Sequence, residues 1–304
     1  MWTLALLALA IAQDPAPPNS LSALLSRVAE EAEILGQNAP KSLTQETLEQ
    51  RSLMPPTRFR PRIGKGAMEP QKPRLVVREM VSEYSVGTLK ESDSNNLVEF
   101  RQVISVDGRK VQSEEKARHS LSIGMKSPDD RIRKRMLEDL ARHGFVDLAT
   151  GYGIILLAFS KRFQENLDTA LTGETQVGAD AVWVIGWKQR DPDAGVLEFR
   201  GNLASRHTMH GTLLVRKSDG LPVRIQAITE HDKIRDDATV DYVQSAHGFL
   251  TPASVVFHHV VDGQLLTENH YRYEPFKMFA ADAEIKFTEL PDPPPTPPAQ
   301  PVKK

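Results

Sequence analysis

Histidine and aspartate side chains are the residues of this chain whose chemistry could support catalysis or metal binding. Nine histidines are present, seven of them from His207 onward, and the tight pairs are His207-x-x-His210 and His258-His259. A metal site needs three or four converging ligands, and neighbouring residues of a strand point to opposite faces. The spacing therefore predicts surface or turn histidines and no metal site. A hydrolase or metalloenzyme that uses His207, His210 or His258 is the alternative.

Paired carboxylates occur at Asp129-Asp130 and Asp236-Asp237. The first pair follows Ser127-Pro128, a pattern typical of a helix start, where acidic side chains interact favourably with the helix dipole. The second pair follows Arg235 and is predicted to set a hairpin turn. The chain contains no GxSxG, P-loop, HExxH or dinucleotide-binding pattern. We predict no catalytic residues and no cofactor, and hence a protein that is not an enzyme.

Composition narrows the class of protein further. The chain has 304 residues, with 38 basic and 40 acidic side chains and a formal net charge of -2. A nucleic-acid-binding protein is not expected, because no overall basic excess is available to neutralise phosphates. Cysteine is absent, which excludes disulfides, thiol catalysis and cysteine-based metal sites. No apolar run is long enough for an ordinary membrane-spanning helix.

The two ends of the chain indicate export. Residues 1–12 are uncharged and end in Ala10-Ile11-Ala12, the small-x-small pattern of a cleaved signal peptide, although Lys and Arg are missing at the start. We expect a mature chain from about Gln13, located in the periplasm; a buried N-terminal helix is the alternative. Residues 291–304 contain seven prolines and are predicted to form an extended, disordered tail, or else a spacer or docking segment.

An N-terminal helical segment, residues 13–50, is predicted to precede the main domain. Leucine and valine side chains share one stripe over Ser20–Leu35, and a second short helix is expected over Leu43–Leu53. Residues 51–73 then form a basic, proline-rich linker, because residues 51–74 hold seven basic residues, one acidic residue and five prolines. The linker could contact an envelope protein or an anionic surface, or lie as a strap over the main domain.

Residues 74–290 are predicted to form one antiparallel β domain. Strand-like segments follow each other through short turns such as Asp107-Gly108, and short connections force neighbouring strands to be antiparallel. A helix is expected over residues 128–143, and Gly151–Phe159 could be a short buried helix or a core strand. A sheet of roughly 10–12 strands must curl. The predicted class is therefore α+β, mostly β, with a large curled antiparallel sheet, a half-barrel, and a few helices packed against it.

Alternation along the strands predicts one apolar face of this sheet. Such a face either packs on helices as an ordinary core or encloses an apolar ligand. The side chains predicted to line a ligand site are Trp183, Ile185, Trp187, Val223, Ile225, Val255 and Phe257.

The C-terminal half carries a recognisable series of motifs. It runs from Gly211-Thr-Leu-Leu-Val215 through Asp219-Gly-Leu-Pro222 and Gly248-Phe-Leu-Thr-Pro252 to Asn269-His-Tyr271-Arg-Tyr273. This series resembles the LolA/LolB-like superfamily of periplasmic lipoprotein carriers and sensors, mainly over residues 166–288. The chain also looks like a group of exported bacterial proteins of similar size. The resemblance implies an unclosed barrel with helices as a lid over a cavity for acyl chains, and no family site residue has a motif match here.

Two functions are therefore expected from different classes. The first is an exported carrier or sensor that binds a lipid or a lipidated protein and shelters acyl chains on the apolar concave sheet. The second is a non-catalytic structural or docking module of the cell envelope, in which the sheet is fully packed. In that case the basic linker and the proline-rich tail make the contacts.

Overall fold

The computed structural model describes residues 20–55, 72–89, 97–191, 198–200, 203–205 and 207–279. The expected signal peptide, the proline-rich tail and most of the basic linker lie outside the described residues. Among the described residues, no helix combines the length and the apolar character needed to cross a bilayer.

The first helix, α1, spans Leu21–Asn38 and confirms the expected helix over Ser20–Leu35. Ser20 is its N-cap, with a side-chain oxygen that accepts a hydrogen bond from the Ala23 N–H at 3.2 Å. The apolar stripe of α1 is buried, including Leu24, Val28 and Leu35. A 3-10 turn over Ala39–Lys41 follows and leads directly into the sheet.

The helix expected over Leu43–Leu53 is wrong, because this segment forms strand β1, Ser42–Met54. β1 lies in the interior of the sheet, hydrogen-bonded to β2 (Arg74–Thr88) on one side and to β14 (Gln264–Tyr273) on the other. Its buried positions alternate, because successive side chains of a strand point to opposite faces of the sheet. Tertiary pairing thus overrides a sequence whose local preference is ambiguous.

The main sheet contains 12 strands, and all of its pairings are antiparallel. It is curled and not closed, which confirms the expected half-barrel. The strand order is β4-β3-β2-β1-β14-β13-β12-β11-β10-β7-β6, with β15 also pairing with β1. Besides β1, β2 and β14, the strands of this sheet are β3 Leu97–Val106, β4 Arg109–Lys110, β6 Leu167–Val177, β7 Asp180–Gln189, β10 Met209–Arg216, β11 Pro222–His231, β12 Ile234–Gln244, β13 Leu250–Val261 and β15 Lys277–Met278.

A small second sheet has the order β5-β8-β9. Its strands are β5 Ala149–Thr150, β8 Glu198–Arg200 and β9 Leu203–Ser205. The Asp107-Gly108 hairpin between β3 and β4 has the expected tight geometry, because both residues have positive φ angles, 51° and 73°.

Two helices cover one face of the sheet at β2 and β3. Helix α2, Glu114–Lys126, was not expected from the sequence, and α3 spans Asp130–Ala141 within the predicted 128–143. Asp129, not Ser127, caps α3, since its carboxylate accepts a hydrogen bond from the Arg131 N–H at 2.9 Å. The two helices form a separate apolar cluster with β3 that includes Val98, Phe100, Leu121 and Met136. We call this side the outer face.

The opposite, inner face of the sheet carries the larger core. It is covered by α1 and by Tyr152–Phe159, a 3-10 segment followed by the short helix α4, Lys161–Gln164. We call Tyr152–Phe159 the plug segment. Every residue of it except Leu157 is buried, and it contacts α1, β11, β12 and β13. Of the two alternatives that the sequence allowed, this segment is therefore a short buried helix.

Candidate functional site

An unbroken row of apolar side chains crosses the inner face. Strand register places one residue of each of eight neighbouring strands directly opposite the next. All eight side chains are at most 3% exposed. In order from β7 to β2 they are Ile185, Leu213, Ile225, Val240, Val255, Tyr271, Leu48 and Met80.

The structure brings five of the seven predicted lining residues into this core, namely Ile185, Trp187, Ile225, Val255 and Phe257. Trp187 and Phe257 flank the row and contact the plug segment, with ring centroids 5.2 Å from Phe159 and 5.4 Å from Tyr152 respectively.

The other two predicted lining residues are placed differently. Trp183 is only partly buried, and the Lys217 ammonium lies 4.0 Å from the centroid of its ring. Val223 is buried but is not part of the main core cluster, and it lies beside a bulge between β10 and β11. These two residues therefore lie at the margin of the apolar row.

The plug segment is attached to the sheet by polar contacts as well as by packing. The Gly153 N–H donates to Glu99 Oε1 at 2.9 Å. The Tyr242 hydroxyl accepts from the Leu156 N–H at 3.1 Å and donates to the Gly153 carbonyl at 3.2 Å. A Cβ atom at Gly153 would lie 2.8 Å from Glu99 Oε1, so glycine allows this close approach.

The backbone of the plug segment is irregular. Gly151 before it has φ 109°, and Ile154 inside it departs from helical geometry with φ -107° and ψ 16°. Runs of 3-10 helix longer than three or four residues are uncommon, because their hydrogen-bond geometry is poor. The eight residues are therefore held by backbone hydrogen bonds of poorer geometry than those of an α-helix, and seven of them are buried.

A fully buried ionic cluster lies beneath the start of the plug segment. The Arg101 guanidinium contacts Glu46 at 2.6 and 2.7 Å and Glu99 at 3.1 Å, and the three side chains are at most 2% exposed. Burial alone would lower the pKa of Arg101, but the charges of Glu46 and Glu99 outweigh it and raise that pKa well above its usual value. One cation thus faces two carboxylates in a dry environment.

Aromatic rings surround this ionic cluster. The Arg101 guanidinium carbon lies 5.2 Å from the ring centroid of Tyr84 and 5.5 Å from that of Tyr271. Burial raises the pKa of Tyr84, Tyr271 and Tyr273 far above that of an exposed tyrosine, and the nearby carboxylates raise it further. These hydroxyls therefore stay protonated and can act as neutral hydrogen-bond donors.

A second set of polar side chains binds the chain just before the plug segment. The Gln50 amide donates to the Val146 carbonyl at 2.6 Å and accepts from the Val146 N–H at 3.1 Å. Asn269 donates to the Asp147 carbonyl at 3.0 Å, and the Thr267 hydroxyl donates to the Asp147 carboxylate at 2.7 Å. The inner face therefore holds the segment that enters the plug as well as the plug itself.

The histidines and the second aspartate pair are dispersed. His259 is buried, with Nδ1 2.6 Å from Asp236 Oδ1, whereas His258 lies beside Glu268. Asp236 and Asp237 belong to strand β12, so the prediction that they set a turn is wrong. Within the described part of the chain, no three His, Asp or Glu side chains form a group suited to a metal ion.

Of the His207-x-x-His210 pair, His210 lies in strand β10. It lines a shallow groove of about 460 Å³ together with Asp168 and Lys188. The Asp168 carboxylate already pairs with Arg190 at 2.6 Å. The structure does not bring His207, His210 and His258 into one constellation, because each belongs to a different contact.

Sequence reasoning missed Glu46, Glu99 and Arg101. Glu46 falls in the segment expected to be helical, and the alternation of Glu99-Phe100-Arg101 predicts that Phe100 faces the core and that the charges face solvent. Both faces are buried here: α2 and α3 cover the face of Phe100, and the plug segment covers the inner face, where Gly153 bonds Glu99. The sequence signal for this cluster is a pair of opposite charges two residues apart, on one face of an otherwise apolar strand.

Comparison with known proteins gives similar folds and no close relative. No protein-family model matches the chain, and no curated protein matches it. Several solved structures, including the following three, are similar to this chain. A DUF1329 family protein from Desulfovibrio piger is 10% identical, with a TM-score of 0.38, and the alignment covers 88% of this chain and 95% of that one.

The second structure is a putative outer membrane lipoprotein-sorting protein domain from Vibrio parahaemolyticus, with 9% identity, coverage of 86% and 94%, and a TM-score of 0.36. The third is a LolA superfamily protein from Nitrosomonas europaea, with 9% identity, coverage of 84% and 93%, and a TM-score of 0.32. Because all three TM-scores are below 0.5, the description of the fold rests on the strand order of this chain itself.

Proposed function

We propose that this protein is an exported, non-catalytic carrier or sensor that shelters acyl chains of a lipid or lipidated protein on the inner face of its sheet. The observation that carries the proposal is the apolar row across eight strands, covered at its centre by one short 3-10 segment. In this proposal the plug segment occupies the ligand site in the unliganded protein and leaves when acyl chains enter.

The free energies involved make such an exchange feasible. Burial of an acyl chain contributes about 0.8 kcal/mol per CH₂, so a chain of about 14 methylenes contributes on the order of 11 kcal/mol. The plug segment buries two isoleucines, a leucine and a phenylalanine, at roughly 1.5–3 kcal/mol each. The two contributions are of similar size, so a ligand can replace the plug at a small net cost.

An unsatisfied donor supports a ligand with a polar acceptor. Trp187 is 3% exposed, and its indole Nε1 has no hydrogen-bond partner among the described residues. A buried N–H without an acceptor destabilises the folded protein. The ester or amide carbonyl of an acylated ligand would satisfy this donor at the edge of the apolar row.

The test is native mass spectrometry of the protein purified from an exporting bacterial host, before and after addition of a lysophospholipid. We expect a stoichiometric lipid adduct, recovered by organic extraction. In Gly153→Ala the added methyl group meets Glu99 Oε1 and loosens the plug, so lysophospholipid affinity should rise at least threefold. Gly173→Ala is the matched control, because nothing lies within 4 Å of its added Cβ. A protein that takes up no lipid in either variant would contradict the proposal.

A second candidate function is a docking module of the cell envelope, favoured by the filled inner face. In that case the sheet is ordinary core and the basic linker and proline-rich tail bind the partner. The linker deletion must spare β1 and β2, so residues 56–71 and 291–304 are the segments to remove. Loss of envelope association on deletion, in a protein that takes up no lipid, would favour the docking module; lipid uptake retained after the deletion would favour the carrier.

A further inference from the structure

We propose that the tip of the β1–β2 hairpin docks on the surface of an anionic lipid bilayer. The hairpin tip consists of Leu53, Met54, Arg74, Leu75 and Val77. Strand register sets Leu53 opposite Leu75 and Met54 opposite Arg74. Leu75 is 64% exposed, Val77 58% and Met54 36%, which makes this a concentration of large exposed apolar side chains.

On the side of β3 the hairpin tip extends past the neighbouring strand. Pairing of β2 with β3 begins at Met80, opposite Val106, and Arg78 contacts the β3–β4 turn through Asp107. Residues 74–77 therefore have no strand partner on that side among the described residues, and at about 3.3 Å per residue they extend roughly 13 Å. On the other side β1 is paired with β14 as far as Ser52, so among the described residues the unpaired edge of the tip is the one towards β3.

The apolar side chains lie on both faces of the tip. Leu75 and Val77 are two residues apart and share the outer face with Leu53, whereas Met54 lies on the other face. The next row inward is acidic, since Glu49 pairs with Glu79. The tip, and not the length of the hairpin, is thus the part suited to enter an apolar layer.

The charge of the adjoining chain indicates which partner fits. Residues 51–74 contain seven basic residues and one acidic residue, in a protein whose formal net charge is -2. Lys72 and Arg74 are exposed and stand next to the apolar tip. Basic side chains beside exposed apolar side chains match an anionic headgroup layer above an acyl layer. This inference does not depend on the acyl-chain proposal, because the tip can dock whether or not the plug segment moves.

The first experiment uses the absence of cysteine in the chain. Val77→Cys in the full chain is labelled with an environment-sensitive fluorophore and mixed with vesicles of phosphatidylglycerol and phosphatidylcholine. We expect a blue shift of emission with these vesicles and none with pure phosphatidylcholine. Val243→Cys is the control, because Val243 is 50% exposed and lies near the C-terminal end of strand β12. Equal shifts at both positions, or no shift at residue 77, would overturn the proposal.

The second experiment measures vesicle flotation of Leu75→Glu combined with Val77→Glu. We expect at least a tenfold loss of affinity for anionic vesicles, with no loss in Val243→Glu, and weaker binding of the parent chain at high salt. The fluorophore responds only to its own surroundings. Membrane binding by the apolar residues 4–11 therefore cannot produce a difference in emission shift between positions 77 and 243. If the double variant fails to fold by circular dichroism, the labelling result alone decides. Unchanged flotation of a folded double variant would show that the tip is not the docking surface.

Discussion

Glu99 holds the plug segment and the ionic cluster together: one carboxylate oxygen accepts the Gly153 N–H at 2.9 Å, and the other lies 3.1 Å from the Arg101 guanidinium. The element that covers the apolar row is therefore bonded directly to a buried charge on the sheet. Movement of the plug would leave that carboxylate without one of its donors. Glu99 consequently links the polar and apolar halves of the inner face.

Removal of the central cation should cost more stability than removal of one carboxylate. Arg101→Met leaves Glu46 and Glu99 buried without a counter-charge, and breaking a buried pair in this way costs about 3–5 kcal/mol. Glu99→Gln removes the excess negative charge and leaves the Arg101–Glu46 pair intact, so a smaller loss is expected. Urea denaturation of both variants measures the difference, and an equal or larger loss in Glu99→Gln would contradict this account of the cluster.

Tyr242→Phe should loosen the plug segment selectively. The substitution removes the hydroxyl that bonds the Leu156 N–H and the Gly153 carbonyl, at a cost of about 1–3 kcal/mol because the plug groups are left buried and unpaired. Hydrogen exchange should accelerate in residues 152–159 more than in β11–β13. Tyr271→Phe is the control, since Tyr271 lies in the same apolar row and its hydroxyl lies 3.5 Å from Asn269 Nδ2. Uniform acceleration throughout the sheet would rule out a local role for Tyr242.

Gly211→Ala should destabilise the sheet strongly. A Cβ atom at Gly211 would lie 2.0 Å from the Gln226 carbonyl oxygen, which belongs to the backbone of the neighbouring strand and cannot move aside cheaply. Forcing extra volume into such a site costs about 1–3 kcal/mol, and sometimes more. The melting temperature of Gly173→Ala, whose added Cβ has open space, should stay close to that of the parent chain.

Two carboxylates should affect stability with opposite dependence on pH. Burial raises the pKa of Glu83 above 4.5, and Arg118 only partly opposes this effect. A raised pKa means that folding favours the protonated acid. The contribution of Glu83 to the stability of the folded protein therefore grows as the pH falls through its folded pKa. Glu83→Gln should therefore be more stable than the parent at pH 7, and the advantage should shrink towards pH 4.

Asp107 provides the comparison of opposite sign. Its pKa is lowered, because hydrogen bonds from the Glu79 N–H and from Arg78 outweigh the effect of burial. The stability that this carboxylate provides is present above its unfolded pKa and is lost as the pH falls through its folded pKa. Asp107→Asn should be less stable than the parent at pH 7, and the difference should shrink as the pH falls towards 2. Urea midpoints across this range test both substitutions, and parallel pH profiles would contradict the assignment.

The sequence by itself determined the elements that depend on local chemistry. Ser20 and the apolar stripe after it specify α1, the Asp107-Gly108 pair specifies a tight hairpin, and period-two alternation specifies β11 and β13. Short turns between strands required an antiparallel sheet, and the number of strands required it to curl. Five of the seven predicted lining residues consequently lie in the core of the inner face.

Only the tertiary structure decided what those local patterns leave open. Leu43–Leu53 is a strand because β2 and β14 pair with it. Glu99 and Arg101 are buried because the plug segment lies over them on the inner face, where the Gly153 N–H donates to Glu99. The position of the plug segment over the apolar row is likewise set by long-range contacts. Periodicity in the sequence indicates which side chains are buried. The element that covers them is determined by contacts with residues distant in the chain.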